Sequence, residues 1–200
     1  MTTDTPARPE RMKWIGSSLT LGLLVTVMSV FTAVANYATY VVSGTASSYE
    51  TEGNRLLADS NTSYISASQF IIVDYTMYDT YYTNLDTNED ISNYYKDLFS
   101  DALKASVDRN APFDDQYYDQ MYQSSKDQFD EAFAKFDLAN AASEREAGYQ
   151  LAMLVAAVGL AFAAYASLLA EANRLRRVFT LMSLMMMVLS IGQFALASAG

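Results

Sequence analysis

Residues 149–196 read YQLAMLVAAVGLAFAAYASLLAEANRLRRVFTLMSLMMMVLSIGQFAL, and this stretch decides the fold. It contains two apolar runs, 149–169 and 178–196, joined by Glu171-Ala-Asn-Arg174-Leu-Arg176-Arg177. Neither run holds an Asp, Glu, Lys or Arg. Both have about the 20 apolar residues that a helix needs to cross a ~30 Å hydrocarbon core. A third run of the same kind, residues 14–42, lies near the start of the chain. The expectation is an all-α membrane protein with three transmembrane helices, at 14–42, 149–170 and 178–197.

The short segments that flank these runs set the orientation. Residues 1–13 carry Arg8, Arg11 and Lys13, and the turn 171–177 carries three arginines against one acid. Short positive segments stay in the cytoplasm, so both are placed there. The insert 43–148 and the end of the chain, 198–200, then lie outside. Trp14 at one end of the first run and Tyr37 and Tyr40 at the other are spaced about 35 to 39 Å apart along a helix, as interfacial aromatic belts would be. Tyr149 marks the outer end of the second span. The N-terminal basic residues followed by an apolar run and Ala33-Val-Ala35 also imitate a cleavable signal peptide. The run is longer than a signal core, so an uncleaved anchor in the cell membrane is expected.

The insert differs sharply in composition. Its 106 residues hold 20 acidic and 7 basic side chains, a net of −13, and 11 of the chain's 15 tyrosines. Such an acidic surface repels nucleic acid, which is excluded as a partner. Residues 45–85 contain no proline, and Leu57, Tyr64, Ile71, Tyr78 and Leu85 recur every seven residues, supported by Ala67, Tyr75, Tyr81 and Tyr82. That period predicts a helix with a coiled-coil-like seam. A turn at 83–90 precedes a shorter helix over 91–107, with Ile91, Tyr95, Leu98, Ala102 and Ala105 on one face. Pro112 breaks the chain. After it Tyr118, Tyr122, Ser125, Phe129, Ala132, Phe136 and Ala139 keep helical spacing towards the second span. The insert is read as a helical stalk of two long antiparallel helices plus the shorter one.

The chain has no cysteine and no histidine. This removes thiolate nucleophiles, the usual general base near neutral pH and the common ligands of zinc, copper and haem. No catalytic residue and no cofactor are therefore assigned. The Met182 to Met186 spacing resembles methionine pairs that hold Cu(I), but methionine is also a common gap filler in apolar packing. Asp86, Asn88, Asp90 and Asp97 have the spacing of calcium-loop ligands, yet Ile91 stands where that loop needs glycine. A solvated acidic turn is the better reading. Asp114-Asp115 is assigned to a helix N-terminus. Asn61-Thr-Ser63 is a glycosylation sequon on the expected outer side.

Surfaces for contact remain. Small residues at four-residue spacing in the second span, Ala152, Ala156, Gly159 and Ala163, with Ala157, Ala161 and Ser167, allow close helix approach, either to the chain's own spans or to a partner. In the insert the adjacent pairs Tyr81 and Tyr82, Tyr94 and Tyr95, and Tyr117 and Tyr118 cannot all face one seam, so they are candidate contact residues.

Three further stretches, Tyr37-Ala-Thr-Tyr40 through Gly44-Thr-Ala, Tyr94-Tyr-Lys-Asp-Leu-Phe99 and Leu175-Arg-Arg177, give the chain a layout that resembles an uncharacterised prokaryotic family of short three-span membrane proteins with a helical insert between spans one and two. The resemblance implies topology and no activity. The function expected is a non-catalytic scaffold or accessory subunit in membrane lipid, in contact with itself or with other membrane subunits. An extracytoplasmic sensor with a separate signalling partner is the alternative. An oligomeric channel with a polar lumen near Ser17, Ser18, Thr20, Thr26, Ser29 and Thr32 comes third.

Overall fold

The computed structural model describes residues 15–171 and 173–199. The basic N-terminal segment with Arg8, Arg11 and Lys13, the belt residue Trp14, and Gly200 lie outside the described residues. Within them the protein is helical throughout, with no strand. The elements are α1 (Ser18–Asn84), α2 (Glu89–Asp97), α3 (Asp101–Asp108), α4 (Asp115–Leu168) and α5 (Arg174–Ala199). Three of these, α1, α4 and α5, are long and apolar enough to cross a membrane. α1 continues without a break from the first apolar run into the insert, and α4 from the insert into the second run. Gly148 is accommodated inside α4.

The chain divides into two compact units, one formed by Ser48–Leu138 and the other by the segments on either side. The second of these is a three-helix bundle of the start of α1, the end of α4 and α5. Its core is Leu21, Leu24, Met28, Ala156, Ala163 and Ala166, with Val25, Phe31, Leu160, Phe179 and Met187 packed around it. Glycine brings the helices close. A Cβ on Gly159 would meet Met28 Cε at 2.4 Å and Met186 Cβ at 2.9 Å, and one on Gly148 would meet Ala197 Cβ at 2.6 Å.

Around this apolar core the outside of the bundle is apolar as well. Leu19, Leu23, Val30, Leu154, Val188 and Leu196 are exposed, while Thr39, Thr180, Ser183 and Ser190 are buried. Three of those hydroxyls are satisfied by their own helix, Thr39 on Ala35 O at 2.9 Å, Thr180 on Arg176 O at 2.8 Å and Ser190 on Met187 O at 2.9 Å. A buried polar group with its hydrogen bond made carries little penalty.

The Ser48–Leu138 unit pairs the rest of α1 antiparallel with the start of α4 and packs α2 and α3 across one end. Its core is Ile71, Phe99, Leu103 and Tyr117, ringed by aromatic side chains that include Tyr78, Tyr81, Phe113 and Tyr122. The heptad expectation is corrected here. Of the series Leu57, Tyr64, Ile71, Tyr78 and Leu85, Ile71 is buried, Leu57 and Tyr78 are half-buried, and Tyr64 and Leu85 are exposed. The buried positions of α1 lie three residues over, at Gly53, Ser60, Ala67 and Asp74, together with Leu56 and Ile71, and α4 buries Ser125 and Ala132. Small residues let the two helices approach until Gly53 touches the ring of Phe136, where a Cβ would lie only 2.8 Å from it. Tyr64 is left on the flank.

The expected single helix over 91–107 is also corrected. It is two helices, because Ser100 starts α3 as its N-cap, accepting from Leu103 N at 3.1 Å. The break turns the chain, so Phe99 and Leu103 enter the core while Ile91 and Leu98 face out.

Candidate functional site

Three polar arrangements stand out, and two of them are structural. In the first, Asp74 is 3% exposed on α1 and accepts from Ser100 N at 3.0 Å, from the Ser100 hydroxyl, and from the Tyr117 hydroxyl at 2.9 Å. One carboxylate thus ties α1 to the cap of α3 and to α4. Burial, and then the neighbouring Asp74 carboxylate, push the Tyr117 phenol far above its ordinary range. Tyr117 is fully buried, with Phe113 edge-on to its ring at 5.1 Å. This corrects its assignment as a surface contact residue. Its hydroxyl has a carboxylate inside the unit, so the ring need not reach water.

In the second, Arg176 is 5% exposed at the start of α5. It donates to Leu169 O at 2.8 Å and to Ser18 Oγ at 3.0 Å, and Ser18 in turn donates to Glu171 Oε1 at 2.8 Å. Its Nε has no hydrogen bond among the described residues. The Ser18 hydrogen bond and the Arg176 charge hold the Glu171 carboxyl below its ordinary value. The arginine count of this turn marks it in sequence, but nothing there signals that one of the three closes the bundle.

The third is an open groove of about 500 Å³ between α1 and α4, lined by Ser60, Asn61, Tyr64, Ser125, Lys126, Phe129 and Asp130. Its floor is the close-packed seam. Ser60 and Ser125 are buried there with their hydroxyls 3.2 Å apart. Because the helix backbones approach so closely, the bulky residues beside the seam stand up as walls. Tyr64 is 54% exposed and Phe129 45%. One face of Tyr64 is covered by Tyr122, stacked at 4.9 Å, and Phe129 leans on Phe133 at 4.6 Å. Lys126 is turned onto Asp119 at 2.5 Å. The Asp130 carboxylate and the Asn61 amide have no partner among the described residues.

The other candidate residues fall as follows. Tyr82 and Tyr94 are exposed; Tyr81, Tyr95 and Tyr118 are half-buried. Tyr81 packs edge-on to Phe99, and Tyr118 shares a hydroxyl–hydroxyl hydrogen bond with Tyr75 that, with partial burial, pushes it up to about 12. Ala152, Ala156, Gly159 and Ala163 are all buried inside the bundle, so that face is filled by the chain itself, whereas Ala157 and Ala161 are exposed. Tyr149 is not turned outward as a belt residue. Its ring lies 4.9 Å from Phe194 and its hydroxyl 3.2 Å from Ser198 Oγ.

In the acidic turn, Asn88 caps α2 by accepting from Ile91 N at 3.2 Å, and Asp90 sits in the first helical turn. Among the described residues no three acidic side chains, Asp86, Asp90 and Asp97 included, converge on one point. Asp114 caps α4 through Tyr117 N at 2.8 Å and pairs with Arg109. Asn61 is exposed on the groove rim, in mid-helix, and the sequon's Ser63 donates to Gln128 Oε1 at 2.7 Å. Thr26 and Thr32 of the expected polar lumen donate to their own helix, at Gly22 O and Met28 O.

The groove was not legible in sequence, since its walls were read as part of the seam itself. Comparison with models of protein families, with characterised proteins and with solved structures finds no match to this chain.

Proposed function

We propose that the chain is a non-catalytic integral membrane protein, a scaffold or accessory subunit that works by contact, as a homo-oligomer or within a larger membrane complex. In this reading residues 1–13 and 171–177 face the cytoplasm and the insert 43–148 is extracytoplasmic. The observation that carries it is a set of large apolar side chains left open on the acidic unit. Ile65, Phe70, Ile72, Tyr82 and Tyr94 are 57 to 66% exposed, outside the three apolar runs. Apolar groups of that size on a surface otherwise rich in acid mark a contact site. The exposed Ala157 and Ala161 offer a second contact within the membrane.

Photocrosslinking from position 72 in native membranes tests this. A discrete adduct, either with a second copy or with one membrane protein, is expected; a chain that crosslinks to nothing would sink the reading. The sensor alternative has one supporting observation. The groove stands on α1 and α4, the two helices that also supply the first two candidate spans. Its signalling partner would be found by the same adduct analysis from the 171–177 turn.

A further inference from the structure

We infer that the α1–α4 groove binds a small organic cation of the quaternary-ammonium class. The inference concerns a soluble ligand and stands whether or not the chain acts as a subunit.

Three observations converge on it. First, the walls are aromatic and come from both helices, Tyr64 from α1 and Phe129 from α4, standing over a floor of two small residues. Ring faces attract a cation through their quadrupole, and the attraction is strongest for a cation that gives up its water easily. A quaternary ammonium, whose charge is spread over methyl groups, does so more readily than a metal ion. Second, the polar groups that remain open are acceptors of positive charge. Among the described residues Asp130 and the Asn61 amide have no partner, while Lys126, which also lines the groove, is held on Asp119. Third, the surrounding field has the matching sign. Residues 48–138 carry 18 acidic against 6 basic side chains, a net of −12, which concentrates cations and repels anions. A metal ion is disfavoured because no three acidic groups among the described residues meet.

The test is calorimetric titration of the purified full-length protein, in detergent, with tetramethylammonium chloride at constant ionic strength, against sodium chloride and glucose as controls. Saturable binding of one tetramethylammonium per chain is expected, with no saturable heat from sodium or glucose. Asp130→Asn and Phe129→Ala should each weaken it by roughly fivefold or more, the change expected from losing one favourable cation contact. Asp127→Asn, on the same helix but outside the groove, should leave it unchanged. Both altered groove residues are exposed, so circular dichroism should report intact helix in each variant. Absence of saturable heat, equal binding of glucose, or affinity indifferent to Asp130→Asn would each overturn the assignment.

Discussion

Ser60 and Ser125 exchange hydrogen bonds across the α1–α4 seam, Ser60 Oγ donating to Ser125 O at 2.8 Å and Ser125 Oγ to Ser60 O at 3.0 Å. Each hydroxyl reaches the backbone of the opposite helix, which requires the helices to be close. The seam residue must therefore be both small and polar. Ser60→Leu should overpack it by about 1–3 kcal/mol and splay the groove walls, while Ser60→Ala, which keeps the size, should cost about 1 kcal/mol. Thermal unfolding of the two variants checks the order; equal losses would show that spacing is not what the serines set.

Asp74 gathers three donors in a buried position, and removal strands all of them. Asp74→Ala should destabilise the Ser48–Leu138 unit by about 2–4 kcal/mol and loosen α3 first, since the α3 cap is held by this carboxylate. Hydrogen exchange at residues 101–108 should accelerate more than at residues 120–138. Uniform acceleration would contradict a local pin.

Much of this fold was legible in sequence, because helix ends and apolar runs are local signals. Pro112, Asn88 and the charged 171–177 turn each fall at a helix boundary. What escaped was the facing of the helices. The seven-residue series selected Leu57 and Tyr64, whereas the buried face holds Gly53, Leu56 and Ser60 beside the Ala67 and Ile71 that the series also named. Asp74 escaped because a charged residue reads as surface until its partners Ser100 and Tyr117, 26 and 43 positions away, are brought to it. Ser100 was a readable cap signal that the apolar pattern of 91–107 masked.

In the three-helix bundle, Gly159 lies under Met28, whose Sδ also accepts a hydrogen bond from Ser183 Oγ at 3.6 Å. Gly159→Ala should force the end of Met28 aside, at a cost of about 1–3 kcal/mol, and Met28→Ala alone should leave a cavity costing about 2–5 kcal/mol. The pair together should recover part of the loss, because the new methyl occupies space that Met28 leaves. A double-mutant cycle on detergent-solubilised protein measures the coupling, and strict additivity would argue against this contact.

The tyrosine network sets an alkaline limit. An ordinary phenol ionises near pH 10, and Tyr118 does so at about 12 in the folded protein. The raised value means the folded state holds its proton where the unfolded state has lost it. The stability contributed by Tyr118 is complete below about pH 10 and falls as pH rises through 12; Tyr117, raised further, acts in the same direction. Phenolate absorbance should show Tyr117 and Tyr118 ionising only with unfolding. Tyr118→Phe should extend helicity to higher pH. Full titration of all tyrosines with the fold intact would refute this.

The central claim is an acidic contact unit held outside the membrane by three spans. The chain contains no cysteine, so single cysteines report location without background. Thr87→Cys, in the exposed α1–α2 turn, and Arg174→Cys, at the exposed start of α5, should be probed in intact cells with a membrane-impermeant maleimide. The account predicts labelling at position 87 in intact cells and at position 174 only after permeabilisation. Labelling in the opposite order, or at both positions in intact cells, would contradict it.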